Sequence, residues 1–303
     1  MTISGILRLL RHLPPATRCI YRSRNGTAPI NWFAGLSDDS WLWMNTVGRR
    51  RFSQIAAIVP GLPDAEFQAT FTGNNGDPTL CEGFAAYQLF KRCYEAHVGS
   101  LSAAHVLDFG CGWGRIIRFF LRDVPPENLA GLDYSEAALE ACRATNRWCR
   151  FTLINPYPPT NLPAAEWDLI YLYSVFSHLP EEMHLALLRE FHRLLRPGGL
   201  LIATTRQRNF ILYGQDVRAN HIPAHPIRNE ATALFDTNAA LAAYDRGEFC
   251  YGKYASDRPG FWGEACIPKM YVERRWSELF DVCEYIDNPS LCPQNTIVVR
   301  KRH

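Results

Sequence analysis

The stretch that decides the fold is His105-Val106-Leu107-Asp108-Phe109-Gly110-Cys111-Gly112-Trp113-Gly114-Arg115. Ala103 to Phe109 is apolar but for one late acid, as expected of a central parallel strand buried on both faces. Glycines at 110, 112 and 114 remove three Cβ atoms where the chain reverses, which permits positive φ and close approach of a ligand to the backbone. From Trp113 the pattern predicts a helix with Ile116, Ile117, Phe119, Phe120 and Leu121 on its apolar face and Arg115, Arg118 and Arg122 projecting outward. Ligands of open α/β sheets bind at such carboxyl edges.

Spacing narrows the ligand. A dinucleotide fingerprint needs a third glycine at 115, where this chain has arginine, and a carboxylate at Asp108 repels a pyrophosphate. A phosphate-binding loop needs lysine followed by serine or threonine, and neither closes this turn. A second apolar run, Leu129-Ala130-Gly131-Leu132-Asp133, ends in a carboxylate roughly 20 residues after the turn, the position that grips a ribose diol. Tyr134 follows at the place of an adenine. Ser135 then caps a helix from Ala137 to Asn146, with Glu136 in its first turn. An adenosine bearing an amino acid satisfies both acids.

These residues resemble the class I S-adenosylmethionine-dependent methyltransferases. The first motif matches at Val106 to Gly114 and the second at Gly131-Leu132-Asp133-Tyr134-Ser135. The third matches at Trp167 to Pro180, which contains Ser174-Val175-Phe176-Ser177-His178, and the fourth at Leu194 to Ile202. The resemblance implies an α/β fold, Rossmann-like, with a seven-stranded, mostly parallel sheet between helices and a last strand that runs antiparallel. It implies S-adenosyl-L-methionine as cofactor. Asp108 and the turn of Gly110, Cys111, Gly112 and Gly114 would face the methionine part, Asp133 the ribose hydroxyls and Tyr134 the adenine rim. Asn155 would meet the adenine edge and Ser174 the reacting methyl. Asn155-Pro156-Tyr157-Pro158 is similar to the Asn-Pro-Pro-Tyr signature of amide-directed methyltransferases. It follows the third strand rather than the fourth and in a different order, so base or glutamine methylation is not supported.

Around this core the sequence divides into a basic segment (1–36), a helical extension or lid (37–100), the cofactor-binding core (101–205), an insertion (206–265) and a closing part of the sheet (266–303). The closing part supplies a helix from Tyr271 to Leu279 and strands over Phe280 to Ile286 and Thr296 to Arg300. Glu181 to Leu195 has helical spacing and Pro197-Gly198-Gly199 stops it, before a fifth strand from Leu200 to Thr204. The insertion is too long for a simple connection and reads as a substrate cap. It carries Arg206, His221, His225, Arg228, Tyr254, Arg258 and Trp262, residue types that suit a polar ring such as a sugar or a phenol. A helix near Asn238 to Arg246 is expected there, capped by Thr237 and stopped by Gly247. In the extension, Leu80 to His97 is helical, and Thr72, Gly73 and Asn75 are candidate lid residues.

The first segment holds Arg8, Arg11, Arg18, Arg22 and Arg24 and no acid, among Ile3, Ile6, Leu7, Leu10 and Leu13. It reads as a short amphipathic basic helix ending at Pro14-Pro15, docked on the protein itself or touching an anionic membrane or an acidic partner. Its interrupted apolar run does not make a signal peptide. The chain of 303 residues, 47% hydrophobic with a formal net charge of +2, has the composition of a globular enzyme without a nucleic-acid signature. Ten scattered cysteines, with no paired spacing for a metal, fit reduced thiols in a cytoplasm. The reaction expected is in-line O-methylation of a small molecule or glycan, with His178, His221, His225 or Glu264 as base where one is needed. Two other readings stand beside it. One is a non-catalytic cofactor-binding partner in a biosynthetic complex, and the other, disfavoured by Asp108 and Arg115, is a nicotinamide oxidoreductase.

Overall fold

The computed structural model describes residues 3–25, 32–219, 221, 235–253 and 261–303. Its strands include one seven-stranded sheet in the order β3-β2-β1-β4-β5-β9-β8 and a separate two-stranded hairpin, β6-β7. The chain divides into two compact units, Met1–Ile154 and Asn155–His303.

In the first unit, β1 (Val106–Phe109), β2 (Leu129–Asp133) and β3 (Arg150–Leu153) run parallel, in the register Val106 to Leu129 and Ala130 to Arg150. Every residue of β1 and β2 is buried, as their uninterrupted apolar runs require. The helix after β2, α6 (Glu136–Thr145), starts where Ser135 Oγ accepts the Ala138 N–H at 3.3 Å.

The helix after the glycine turn departs from expectation. Residues 113–116 form turns, and the helix, here α5, covers only Ile117–Phe120. Its apolar side chains are buried as expected, but Arg115, Arg118 and Arg122 do not project outward and are 7%, 1% and 7% exposed. The reason lies in the extension, which contains α2 (Asp38–Trp43), α3 (Ala65–Thr72) and α4 (Gly76–His97): α2, α4 and the stretch 45–61 between α2 and α3 supply acceptors for them. Arg118 donates to Asn45 Oδ1 at 3.2 Å and to the carbonyls of Gly61 and Pro60. Arg122 donates to Tyr87 Oη at 2.7 Å and pairs with Asp38 at 2.6 Å, while Arg115 meets Glu82 at 3.2 Å. Between these polar ties, Phe84 and Tyr87 of α4 pack on Phe119 and Phe120 with ring centroids 5.0–6.0 Å apart. A guanidinium with five donors is the side chain best able to satisfy several backbone carbonyls at once in a dry interface.

The basic first helix, α1 (Ile3–Arg24), does not stop at Pro14-Pro15 but runs through them. Proline's φ is helical, so its cost is the lost N–H and the clash behind it, and packing offsets that cost here. His12, Ala16 and Cys19 are buried, and the His12 ring stacks on Trp43 at 5.3 Å while Nδ1 lies 3.1 Å from Ser40 Oγ.

In the second unit, β4 (Trp167–Leu172) and β5 (Leu195–Thr205) are parallel, and β9 (Asn295–Lys301) lies antiparallel to β5 and to β8 (Phe280–Ile286). β5 is longer than expected and carries Pro197-Gly198-Gly199 within it. Between β4 and β5 lies α7 (Glu181–Leu194), which buries Met183, His184, Leu187, Leu188, Phe191 and Leu194. The insertion contributes α8 (Arg208–Arg218), α9 (Thr237–Asp245) and the antiparallel hairpin of β6 (Cys250–Lys253) and β7 (Gly263–Cys266). Asp236 rather than Thr237 caps α9, because its carboxylate reaches the Ala239 N–H at 2.9 Å. Gly247 ends the helix with φ +75° as expected. After the hairpin comes α10 (Lys269–Arg275). Among the described residues no helix is long and apolar enough to cross a membrane.

Two stability measurements test this packing. Arg118→Leu strands three acceptors that only a buried donor satisfies, and should lower the unfolding free energy in urea by roughly 2–4 kcal/mol. His184 is fully buried and accepts the Trp276 indole N–H at 2.9 Å, and burial pushes its pKa down to about 3 from 6.5. It therefore takes up a proton only on unfolding, so its contribution is complete above pH 6.5 and declines as pH falls from there toward 3. Urea titrations at pH 7 and pH 5 should differ by about 2 kcal/mol from this group, a difference that His184→Gln should remove.

Candidate functional site

In the first unit the glycine turn is built as the sequence requires. Gly110, Gly112 and Gly114 have φ of +73°, +52° and +76°, so all three lie in the left-handed region. The N–H groups of Gly110 and Cys111 both donate to Leu132 O, at 2.8 and 2.9 Å, which pins the turn to the end of β2. The buried Asp133 completes the attachment: its Oδ2 accepts the Gly112 N–H and its Oδ1 the Ser135 N–H, each at 2.9 Å. Burial raises the Asp133 pKa, and these N–H bonds pull it back toward the ionised form. Asp108 is buried at the end of β1, and Tyr134 is 41% exposed beside Asp133. Gly131 must be small, because a Cβ there would sit 2.9 Å from Cys111 Sγ and from the Phe151 ring. The Cys111 and Cys142 sulfurs both approach Gly112 O, at 3.7 and 3.1 Å, and the Cys142 thiol together with burial keeps Cys111 protonated.

Of the candidate lid residues, Thr72 Oγ1 donates to Gln68 O and to Asn74 O, Gly73 is the left-handed cap of α3, and Asn75 precedes α4. The side chain actually over the turn is one that sequence reasoning passed over: a Cβ on Gly112 would lie 3.5 Å from Phe71 Cδ1. Phe71 is 41% exposed and packs against Phe67 at 5.0 Å. A phenylalanine next to a threonine-glycine turn has no distinguishing pattern, so nothing in the sequence marked it.

In the second unit a polar network gathers at the carboxyl ends of β4 and β5. Ser174 has φ +61°, and its N–H donates to Thr204 Oγ1 at 2.7 Å. Its Oγ accepts from Gln294 Nε2 at 2.9 Å and lies 3.1 Å from Ser177 Oγ and 3.4 Å from His178 Nε2. On the other side of the imidazole, Nδ1 is 3.0 Å from Gly263 O and 3.4 Å from Glu264 Oε1. A carbonyl only accepts, so Nδ1 carries a proton, and in the neutral ring Nε2 is left with its lone pair. Glu264 is 2% exposed and is held by Arg206 through contacts of 2.6 and 3.3 Å. Trp262 stacks on the imidazole at 4.8 Å, and Arg206 lies over the Phe210 ring at 4.7 Å.

Backbone bonds explain why these groups meet. Gly263 N–H donates to His178 O at 3.0 Å and Ala265 N–H to Ser177 O at 2.8 Å, so β7 is stitched along the loop that carries the histidine. On its other side Thr205 Oγ1 and Arg206 N–H donate to Ala265 O. His178 and Glu264 were both sequence candidates, and the structure brings them together. His221 is not part of this network: its side chain is 71% exposed, 3.7 Å from Asp216. His225, Arg228, Tyr254 and Arg258 lie outside the described residues. Asn155 Oδ1 accepts the Tyr157 N–H at 2.9 Å in a local turn. Gln294, which completes the network around Ser174, carries no motif that singles it out, and Ser177, though inside the third motif, was assigned no role there.

Residues 106–199 match a family model described as a methyltransferase domain. This chain carries a class I S-adenosylmethionine-dependent methyltransferase domain. It is 30% identical to a tRNA N(3)-cytidine methyltransferase of Gallus gallus over 138 residues, 41% of this chain and 36% of that one. The methyltransferase chain thus spans little more than a third of that relative's length. A Mycolicibacterium smegmatis protein named as an S-adenosylmethionine-dependent methyltransferase is 28% identical over 213 residues, 68% of this chain and 80% of its own. Among solved structures, one from Listeria monocytogenes assigned to the S-adenosylmethionine-dependent methyltransferases shares the fold, with TM-score 0.50 and 12% identity over 72% of this chain and 99% of that one.

The tautomer is directly measurable. Nitrogen-15 NMR of the methyltransferase at neutral pH should show His178 protonated at Nδ1, and a population protonated at Nε2 would contradict the geometry read here.

Proposed function

We propose that the protein transfers the methyl group of S-adenosylmethionine to an oxygen atom of a small-molecule or glycan acceptor, with His178 as the base. The observation that carries this reading is the oriented imidazole: Gly263 O fixes the proton on Nδ1, Nε2 faces Ser174 Oγ, and the buried Glu264 stands behind the ring. S-adenosylmethionine, when bound, supplies an electrophilic methyl carbon on a cationic sulfur.

The chain's residues take the remaining roles. Asp108, Asp133 and the backbone of Gly110, Cys111, Gly112 and Gly114 bind the cofactor, a reading supported by three left-handed glycines in the turn and an acid at the end of β2. Tyr134 and Ser174 are assigned to its adenine and methyl ends through the motifs they occupy, and Asn155 to the adenine edge through its place just past the third strand. An acceptor hydroxyl is a poor nucleophile while protonated, so His178 Nε2 would take its proton while the cofactor supplies the methyl and its sulfur keeps the electron pair of the broken carbon–sulfur bond. Glu264 then faces the imidazolium from a buried position, and Arg206 holds the Glu264 side chain in place. Trp262 stacks on the ring, fixing its plane and excluding water from that face.

Two experiments test the two halves of the reading separately. Asp133→Ala should weaken S-adenosylmethionine binding in calorimetry by about tenfold to a hundredfold, through the lost carboxylate and the loosened turn. Unchanged affinity would refute the assignment. Labelled-methyl transfer to fractionated extracts should identify the acceptor, and His178→Ala should lower kcat for it by about 10²–10⁴ with cofactor affinity retained. A product methylated on nitrogen, with turnover indifferent to His178, would overturn O-methylation.

A further inference from the structure

The Ser174 hydroxyl is held from two sides by residues outside the histidine loop. Thr204 Oγ1 accepts the Ser174 N–H at 2.7 Å and donates its own proton to Gln294 Oε1 at 2.8 Å. That bond sets which way the Gln294 amide faces, since the reverse orientation would leave the buried Thr204 proton without an acceptor among the described residues. Gln294 Nε2 therefore donates to Ser174 Oγ, at 2.9 Å. Thr204 and Gln294 are 0% and 6% exposed, too dry for water to replace these partners. Ser174 itself sits at φ +61°, a left-handed backbone that costs a non-glycine residue and persists where its surroundings hold it. Glycine would meet that backbone without strain, so what the serine contributes is its hydroxyl.

With Gln294 on one lone pair, the Ser174 proton leaves toward Ser177 Oγ at 3.1 Å or His178 Nε2 at 3.4 Å. An imidazole nitrogen is more basic than a hydroxyl oxygen, and Gly263 O holds the ring with Nδ1 protonated and Nε2 turned to the serine. On the reading of His178 as the base, we propose that Ser174 is the relay through which the acceptor's proton reaches His178, and that Gln294 is the positioning residue that aims it. The second lone pair of Ser174 Oγ receives the acceptor hydroxyl in place of Ser177. As the acceptor oxygen bonds to the methyl carbon, its proton passes to Ser174 Oγ, the serine's own proton passes to Nε2, and the carbon–sulfur electron pair stays on sulfur. The serine ends neutral and the imidazole cationic.

Two measurements on the full chain test the relay. Nitrogen-15 NMR of the ligand-free protein should show His178 Nε2 as a hydrogen-bond acceptor, its resonance moving toward the unbonded position in Ser174→Gly and in Gln294→Met while Nδ1 stays protonated. Ser174→Gly suits the left-handed backbone and keeps the N–H bond to Thr204, so circular dichroism should match the parent. In methyl transfer to the extract fraction that accepts label, Ser174→Gly should lower the single-turnover rate by about 10²-fold and Gln294→Met by about tenfold. Rates in mixtures of light and heavy water should curve in the parent, where two protons move together, and become linear in Ser174→Gly. An Nε2 resonance indifferent to both variants, a linear dependence in the parent, or Ser174→Gly at full rate overturns the relay while His178→Ala still slows transfer. If His178→Ala is itself without effect, the base assignment falls and the relay falls with it.

Discussion

The carboxylate of Asp133 is the constraint on which the first unit depends. It is buried at the end of β2 and accepts two backbone N–H groups, one from the glycine turn and one from the start of α6. Three left-handed residues in five lose a great deal of backbone freedom on folding, and the two carboxylate bonds, with the two amides on Leu132 O, offset that loss. The same arrangement explains why Gly131 has no side chain. Cys111 and Phe151 occupy the space that a Cβ would need, so strand, turn and helix are packed to contact at that point.

The helical extension is bound to the core by cations rather than by apolar burial alone. Arg118 is enclosed and satisfied by one amide oxygen and two carbonyls, and burial lowers its pKa. A charge so placed stabilises only if each donor finds an acceptor, which makes the position of residues 45, 60 and 61 exacting. The extension is therefore fixed to the helix following the cofactor turn through a small number of directional bonds, together with the Phe84 and Tyr87 rings.

Much of the sheet was legible in the sequence because its central strands are buried and read as mostly apolar runs. β2 and β8 fall where the sequence places them. The ends of elements were less legible, since they depend on backbone bonding: β5 starts five residues early, and α1 passes through two prolines. The three arginines after the turn were misread for a more general reason. Periodicity reports which residues are polar, whereas burial of a polar residue depends on partners far away in sequence, here 33 to 86 residues off. In the second unit His178 and Glu264 were visible as residue types, but their pairing was not, because β7 reaches the histidine loop by main-chain bonds that any residues could make.

That main-chain stitching ties the variable part of the molecule to its most constrained part. The hairpin belongs to the insertion, yet its Gly263 carbonyl sets the proton on His178 and its backbone supports the same loop. The orientation of the imidazole therefore depends on backbone atoms of the insertion and not on its side chains. Replacing the hairpin wholesale would remove the carbonyl that holds Nδ1, whatever side chains the new segment brought.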